Sequence, residues 1–286
     1  MNSRQIRFLC GLVVAAVFAL AGCGRDKVRL RGGWEPEPGT VVRDASTFVM
    51  EEGALIIELE GKALKGKTSS REEMVIETKI VSADEFRLVH VVDSSTSVDE
   101  ILGQRTEKVN DGILQGVPIV GRKKDGEWVY ALVAGQPTKE QAKELAELSQ
   151  GPSDDELLYP AHPVRVGERW ALKPEVISAW LGSNALRSSG RGSMELREVK
   201  TYQGQKCAHL FFTLQGAVTE LDDENNETTT EVGMKGEIYR SLDTFLDISW
   251  SATGQKKTTG QTIVDGIKMK VTKAGPVQFK LKTTVE

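Results

Sequence analysis

The side chains of this 286-residue chain best suited to nucleophilic or metal chemistry are three histidines, His90, His162 and His209, and three cysteines, Cys10, Cys23 and Cys207. Cys207 and His209 stand two apart in Cys207-Ala-His-Leu-Phe-Phe-Thr-Leu214, a run that reads as a strand, so both point to one face. They offer two metal ligands where a structural zinc site takes four, and no second Cys or His cluster accompanies them. The expectation is a half-buried thiol beside an ordinary histidine, with no metal and no cofactor. Ala208, Leu210, Phe212 and Leu214 form the opposite, core-facing side of the same run. His90, set among Leu88, Val89, Val91 and Val92, reads as structural.

Other constellations are equally thin. Serines are plentiful, but no Gly-x-Ser-x-Gly nucleophile elbow occurs. Gly190-Arg-Gly-Ser193 reads as a flexible link into a strand and lacks the strand–loop–helix setting of a phosphate cradle. Asp222-Asp-Glu-Asn-Asn-Glu227 is rich in oxygen ligands but has no glycine for the tight turn of a calcium loop, and reads as a solvated hairpin loop. Asn226-Glu-Thr228 matches a glycosylation sequon. No pair of the 41 acidic residues stands out for acid–base work, so no catalytic residue is assigned. The formal charge of −4 argues against a nucleic-acid partner, which needs a basic face to displace counterions.

The most informative residues lie at the start. Met1–Arg7 is polar, with Arg4 and Arg7 and no acid; Phe8–Leu20 is almost unbroken apolar sequence; Leu20-Ala-Gly-Cys23 follows. A basic start, a short apolar core and small residues before a cut site make a secretory signal peptide over 1–22. The apolar run is too short for a span, which takes about 20 residues. Leu20-Ala21-Gly22-Cys23 resembles the lipobox of bacterial lipoproteins. The resemblance implies that Cys23 becomes the first mature residue, carries a diacylglyceryl group on its sulfur and an acyl group such as palmitate on its nitrogen, and anchors the protein to a membrane of the cell envelope. Gly24, not Asp, follows the cysteine, which in that family implies the outer membrane where there are two. Removing 1–22 takes two of the 37 basic residues and no acid, moving the formal charge from −4 to −6. Acyl chains, not attraction to anionic lipid, must then anchor the chain. With Cys10 discarded and Cys23 blocked, Cys207 is left alone, and the domain can form no internal disulfide.

Residues 23–39, polar and bearing Gly and Pro, read as a flexible tether, with Trp34 docking on the domain. From Thr40 to Glu286 the pattern is one β-rich domain: short alternating runs at 54–60, 74–81, 86–92, 117–120, 128–133, 194–199, 207–214, 232–239, 245–250, 262–271 and 277–283. Lys124-Asp125-Gly126-Glu127 is a tight hairpin signal, and short links imply antiparallel pairing. Thr138-Lys-Glu-Gln141 is a capping box that opens a helix with Ala142, Leu145 and Ala146 on its apolar face, ended by Gly151-Pro152; a second short helix is expected from Pro174 to Leu181. The fold class is mainly β: large antiparallel curved sheet or sheets, half-barrel or sandwich-like, with one or two short central helices. The segment 134–182 would join two halves, forming one continuous sheet or two packed subdomains.

Tyr159-Pro-Ala-His-Pro-Val-Arg-Val-Gly-Glu-Arg-Trp170 resembles a segment common in uncharacterised bacterial envelope lipoproteins, which implies an envelope domain of unassigned chemistry. The function expected is a membrane-anchored, non-catalytic binding or scaffolding domain for a protein or an apolar ligand such as a lipid. The alternative is an envelope hydrolase, in which His90, His162 or His209 would meet a carboxylate and a nucleophile in a cleft.

Overall fold

The computed structural model describes residues 27–125, 127–148, 158–173, 175–176, 186–221, 226–264 and 267–286. The leader with its lipobox and Cys23, the Gly151-Pro152 stop, nearly all of the expected 174–181 helix and residues 222–225 lie outside the described residues.

Among the described residues twelve strands follow one another: β1 (Val41–Leu59), β2 (Lys62–Ser82), β3 (Glu85–Ile101), β4 (Gln104–Asp111), β5 (Ile119–Lys124), β6 (Glu127–Leu132), β7 (Arg169–Ala171), β8 (Arg187–Tyr202), β9 (Gln205–Leu221), β10 (Glu227–Ser241), β11 (Asp247–Val264) and β12 (Ile267–Val285). Among the described residues, the helix α1 (Lys139–Leu148) lies between β6 and β7. The strands form a single open antiparallel sheet in the order β6-β5-β3-β2-β1-β12-β11-β10-β9-β8-β7, with β4 also paired to β3. The expected antiparallel pairing is thus observed, and pairing of β1 with β12 makes the two halves one continuous sheet.

The long strands β1–β3 and β8–β12 are about two to three times longer than the apolar runs that announced them, whereas β5 and β6 are six residues each. β1 runs 19 residues where only 54–60 was legible. Its alternation is interrupted by a bulge that lets Glu51 and Glu52 face solvent between Met50 and Gly53. The turns explain the rest. Glu60-Gly61, Leu102-Gly103 and Gln203-Gly204 all adopt positive φ at both central positions, the geometry of two-residue hairpins. Only the second residue of each pair is the glycine that makes this cheap, so Asp125-Gly126 alone was recognisable; Asp125 has φ 54° and Lys124 pairs with Glu127 as expected.

Other expectations are corrected. The run 262–271 is not one strand but the end of β11 and the start of β12. Phe245 sits at φ 56°, in a turn, so β11 starts only at Asp247. The residues 190–193 are not a flexible link but part of β8, paired with β9. Residues 28–31 are not a free tether: Val28 bridges Val164, and Leu30 is fully buried. Trp34 is partly buried. The capping box forms as expected, with Gln141 N donating to Thr138 Oγ1 at 3.2 Å and Thr138 N to Gln141 Oε1 at 3.1 Å.

Two apolar clusters cover opposite ends of one sheet face. At the β7–β10 end, Leu158, Tyr159, Val164, Leu172 and Val176 join Leu30 against Met194, Leu196, Leu210 and Phe212. The expected core side of the 207–214 run is therefore observed, and Trp170 anchors the covering segment by donating from Nε1 to the Leu158 carbonyl at 2.8 Å. At the other end, Leu145 of α1 packs on Leu114 and Ile119.

Candidate functional site

Between the two covered ends the same face is open. Strand register brings its side chains into cross-strand rows. One row runs Met194–Phe212–Gly236–Ala252–Phe279–Phe48–Glu72–Ser95, and the next Leu196–Leu210–Ile238–Trp250–Leu281–Ser46–Met74–Asp93. Each row begins as buried core and ends in polar residues, Glu72 and Ser95 in the first and Asp93 in the second. In the middle, on β1, β11 and β12, Phe48, Trp250, Phe279 and Leu281 are apolar yet only partly buried. These residues line a groove of about 940 Å³ bordered by strands as far apart as β4 and β9, so the sheet bends around this face. That volume lies in the range of small-molecule sites, about 300–1,000 Å³.

Three features shape the groove. In the first row the small residues Gly236 and Ala252 separate Phe212 from Phe279, with Ala252 buried. A Cβ at position 236 would come within 2.3 Å of the Ser251 carbonyl oxygen, so no larger residue fits there. Phe212 and Phe279 flank Trp250 with ring centroids 5.8 and 6.2 Å away, a wall of tilted aromatic rings. The β1–β4 flank carries Asp44, Glu72, Glu73, Asp93 and Asp111; of the cations at the groove, Arg240 is committed to an internal network and Lys256 lies over Phe48, its Nζ 5.0 Å from the ring centroid.

That network closes one end. Arg240, 1% exposed, donates from Nη1 to Asp247 Oδ1 at 2.9 Å and from Nε to the Leu30 carbonyl at 2.6 Å. Its guanidinium lies 4.0 Å from the Tyr159 ring centroid. The Tyr159 hydroxyl donates to Asp247 at 2.8 Å. Beside it, Thr283 Oγ1 donates to Asp44 Oδ1 at 2.5 Å. Burial pushes the Asp44 carboxyl above the usual range; the Thr283 hydrogen bond opposes this, and the Asp247 charge adds to it.

A raised folded-state value means that the folded protein holds a proton the unfolded chain has lost, so this group's contribution falls as pH rises from the unfolded value through the folded one. Asp44→Asn keeps the acceptor for Thr283 and removes the charge. Its melting temperature should exceed that of the parent at pH 7, with the difference vanishing near pH 3. Differential scanning calorimetry at both pH values measures this, and an equal or lower melting temperature at pH 7 contradicts it.

The three histidines do not converge on one another, and none lines the groove, although His90 touches Asp93 on its flank. His90 is buried, with Nδ1 3.4 Å from Asp93 Oδ2. His162 is exposed in the 158–168 segment, beside Glu168 at 3.2 Å. His209 faces away from the groove, between Glu198 (3.2 Å) and Glu237 (3.3 Å), stacked on Tyr239 with centroids 4.6 Å apart. His90 on β3 and His209 on β9 are six strand spacings apart, about 29 Å along the sheet. Cys207 is fully rather than half buried, and burial pushes its thiol up, away from the reactive thiolate. No group of three metal-ligating side chains occurs among the described residues. No described helix is long and apolar enough to cross a membrane.

The groove residues had little sequence signal. Phe48 lies outside every legible run, and Arg240 falls one position past the 232–239 run, where its charge reads as an end. Trp250 and Phe279 lay within legible runs, but nothing local distinguishes a half-covered aromatic from a core one.

No family model matches the chain, and no curated protein does. Among solved structures, one of lipid–protein interactions in lipovitellin is similar over 87% of this chain at 10% identity, with a TM-score of 0.39; this chain spans 26% of the length of that one. A DUF1329 family protein from Desulfovibrio piger is similar over 84% of this chain and 85% of its own, at 12% identity and a TM-score of 0.15. A structure concerned with the entry of botulinum neurotoxin type C into cells through two ganglioside molecules covers 84% of this chain and 78% of its own, at 8% identity and a TM-score of 0.14.

Proposed function

We propose that this chain is a lipid-anchored protein of the bacterial cell envelope whose open sheet face binds an apolar ligand without chemical change. The lipobox resemblance at Leu20–Cys23 supports the location. One observation carries the binding: Phe48, Trp250, Phe279 and Leu281 stay only partly buried in a groove while the same sheet face is covered at both ends. Leaving such apolar surface uncovered forgoes about 25 cal/mol per Å², a cost that a ligand recovers. The acidic flank favours a ligand with a neutral or cationic head over a free carboxylate.

The test uses Trp250 as its reporter. Phosphatidylcholine with brominated acyl chains should quench part of the tryptophan fluorescence of the Cys23→Ser protein, and Trp250→Phe should abolish that quenching. A brominated fatty acid should quench less at pH 7. The reading fails if saturating lipid causes no quenching, or if the quenching survives Trp250→Phe unchanged.

A further inference from the structure

The binding groove and the start of the described chain meet at one place. The Leu30 carbonyl accepts from Arg240, and Gly32 lies so close over Phe245 that a Cβ there would fall 2.2 Å from the ring. Arg240 and Phe245 both line the groove. Two residues before Leu30, Val28 is locked to Val164 by two backbone hydrogen bonds of 2.9 Å. The chain is therefore fixed against the fold from residue 28 onward, at one end of the groove.

Covalent geometry then limits how far this end can stand from the anchor. Cys23 and Val28 are five residues apart, a reach of at most about 18 Å. The domain is thus not a passenger on a long, free leash. If Cys23 carries the acyl chains, Val28 lies within about 18 Å of the anchoring residue, which keeps the groove end at Arg240 and Phe245, where Leu30 and Gly32 are seated, on the side of the domain nearest the bilayer. Charge there fits such a surface. Lys27, Arg29 and Arg165 are all exposed around the Val28–Val164 bridge and outnumber the Glu168 carboxylate beside them, although the mature chain as a whole is acidic. Cations at this position meet phosphate headgroups, and the apolar wall of Trp250 and Phe279 lies further in.

We propose that the groove takes up an acyl chain of a phospholipid drawn from the bilayer in which the protein is itself anchored, entering at the end where residues 28–32 are pinned. This rests on the ligand-binding and anchoring reading above and adds the source, the class and the point of access of the ligand. The short leash acts through proximity: it holds the mouth of the groove at the surface that supplies the lipid. The basic collar holds the phosphate while the hydrocarbon crosses to the aromatic wall.

The lipidated full-length protein, reconstituted in vesicles of phosphatidylcholine that contains a photoactivatable diazirine near the acyl terminus, provides the test. After brief illumination, peptide mass spectrometry should place the label on the β1, β11 and β12 peptides that hold Phe48, Trp250 and Phe279. Insertion of 20 Gly/Ser residues between Asp26 and Lys27 lengthens the leash from five residues to 25. Effective concentration falls as about the −3/2 power of length, so the initial labelling rate should drop about tenfold. Arg240 and the pin are untouched by the insertion, so melting temperature should not change. Equal labelling rates for the two leashes overturn the proposal. So does a groove that stays unlabelled in vesicles, or that is labelled only when Cys23→Ser removes the protein's own acyl chains, while soluble brominated lipid still quenches Trp250; the ligand-binding reading then survives. A groove that neither takes label nor shows quenching removes both.

Discussion

Arg240→Ala will destabilise the fold by about 3–5 kcal/mol, the cost of leaving one partner of a buried ion pair alone. Asp247, 17% exposed, keeps its charge but loses its only described cation, and the Leu30 carbonyl loses its donor in a fully buried site. The Tyr159 ring also loses the guanidinium that covers it. Small domains are stable by about 5–15 kcal/mol, so this single change removes a large part of the total. Urea unfolding followed by circular dichroism should show a lower midpoint with an unchanged slope. The double variant Arg240→Ala, Asp247→Ala should recover part of the loss, because it removes the stranded charge. A second readout is local: protease sites at Lys27, Arg29 and Arg31 should become cleavable in Arg240→Ala under native conditions, since the strap loses the bond that holds Leu30. A midpoint within experimental error of the parent would show that the pair contributes nothing.

Cys23→Ala should abolish lipidation altogether. The proposed modification needs the sulfur as nucleophile, and alanine has none. Cells fed labelled palmitate should incorporate it into the parent and not into the variant, and the variant should persist as unprocessed precursor or appear in the soluble envelope fraction. Two or more acyl chains each add about 0.8 kcal/mol per buried methylene, so their loss moves the partition from effectively permanent to none. The fold of the mature domain should be unaffected, since its first fixed residue is Val28. Label entering Cys23→Ala, or a mature chain that begins elsewhere, would end the lipoprotein reading and with it the access route argued for the groove.

The two predictions draw on different levels of information. The Cys23 prediction needs only sequence, because the machinery it invokes acts on a short linear pattern before the domain is folded. The Arg240 prediction could not be made from sequence. Arg240 and Leu30 are 210 positions apart, and their pairing exists only because the β8–β12 half of the sheet receives the N-terminal strap on its covered face. The polar, glycine-bearing composition of 24–33 reads as tether, yet two apolar residues at alternate positions, Val28 and Leu30, suffice to fix it. Alternation over so few residues is too short to weigh against the surrounding charge.

Sequence alone determined the class of this protein: the alternating runs between turn residues can bury their apolar side only in sheets, short links make the pairing antiparallel, and the Thr138–Gln141 box starts a helix where one is found. These are local properties, set by a few neighbouring residues, and so they are written locally. Tertiary structure alone decided that β1 pairs with β12 to make one sheet, that the three histidines stay apart, and that Phe48, Trp250 and Phe279 line up in an uncovered groove. Those outcomes depend on register and on which strands become neighbours across more than 200 residues. Two half-buried aromatic positions look alike along the chain; only their cross-strand partners, and what covers them, make one core and the other a site.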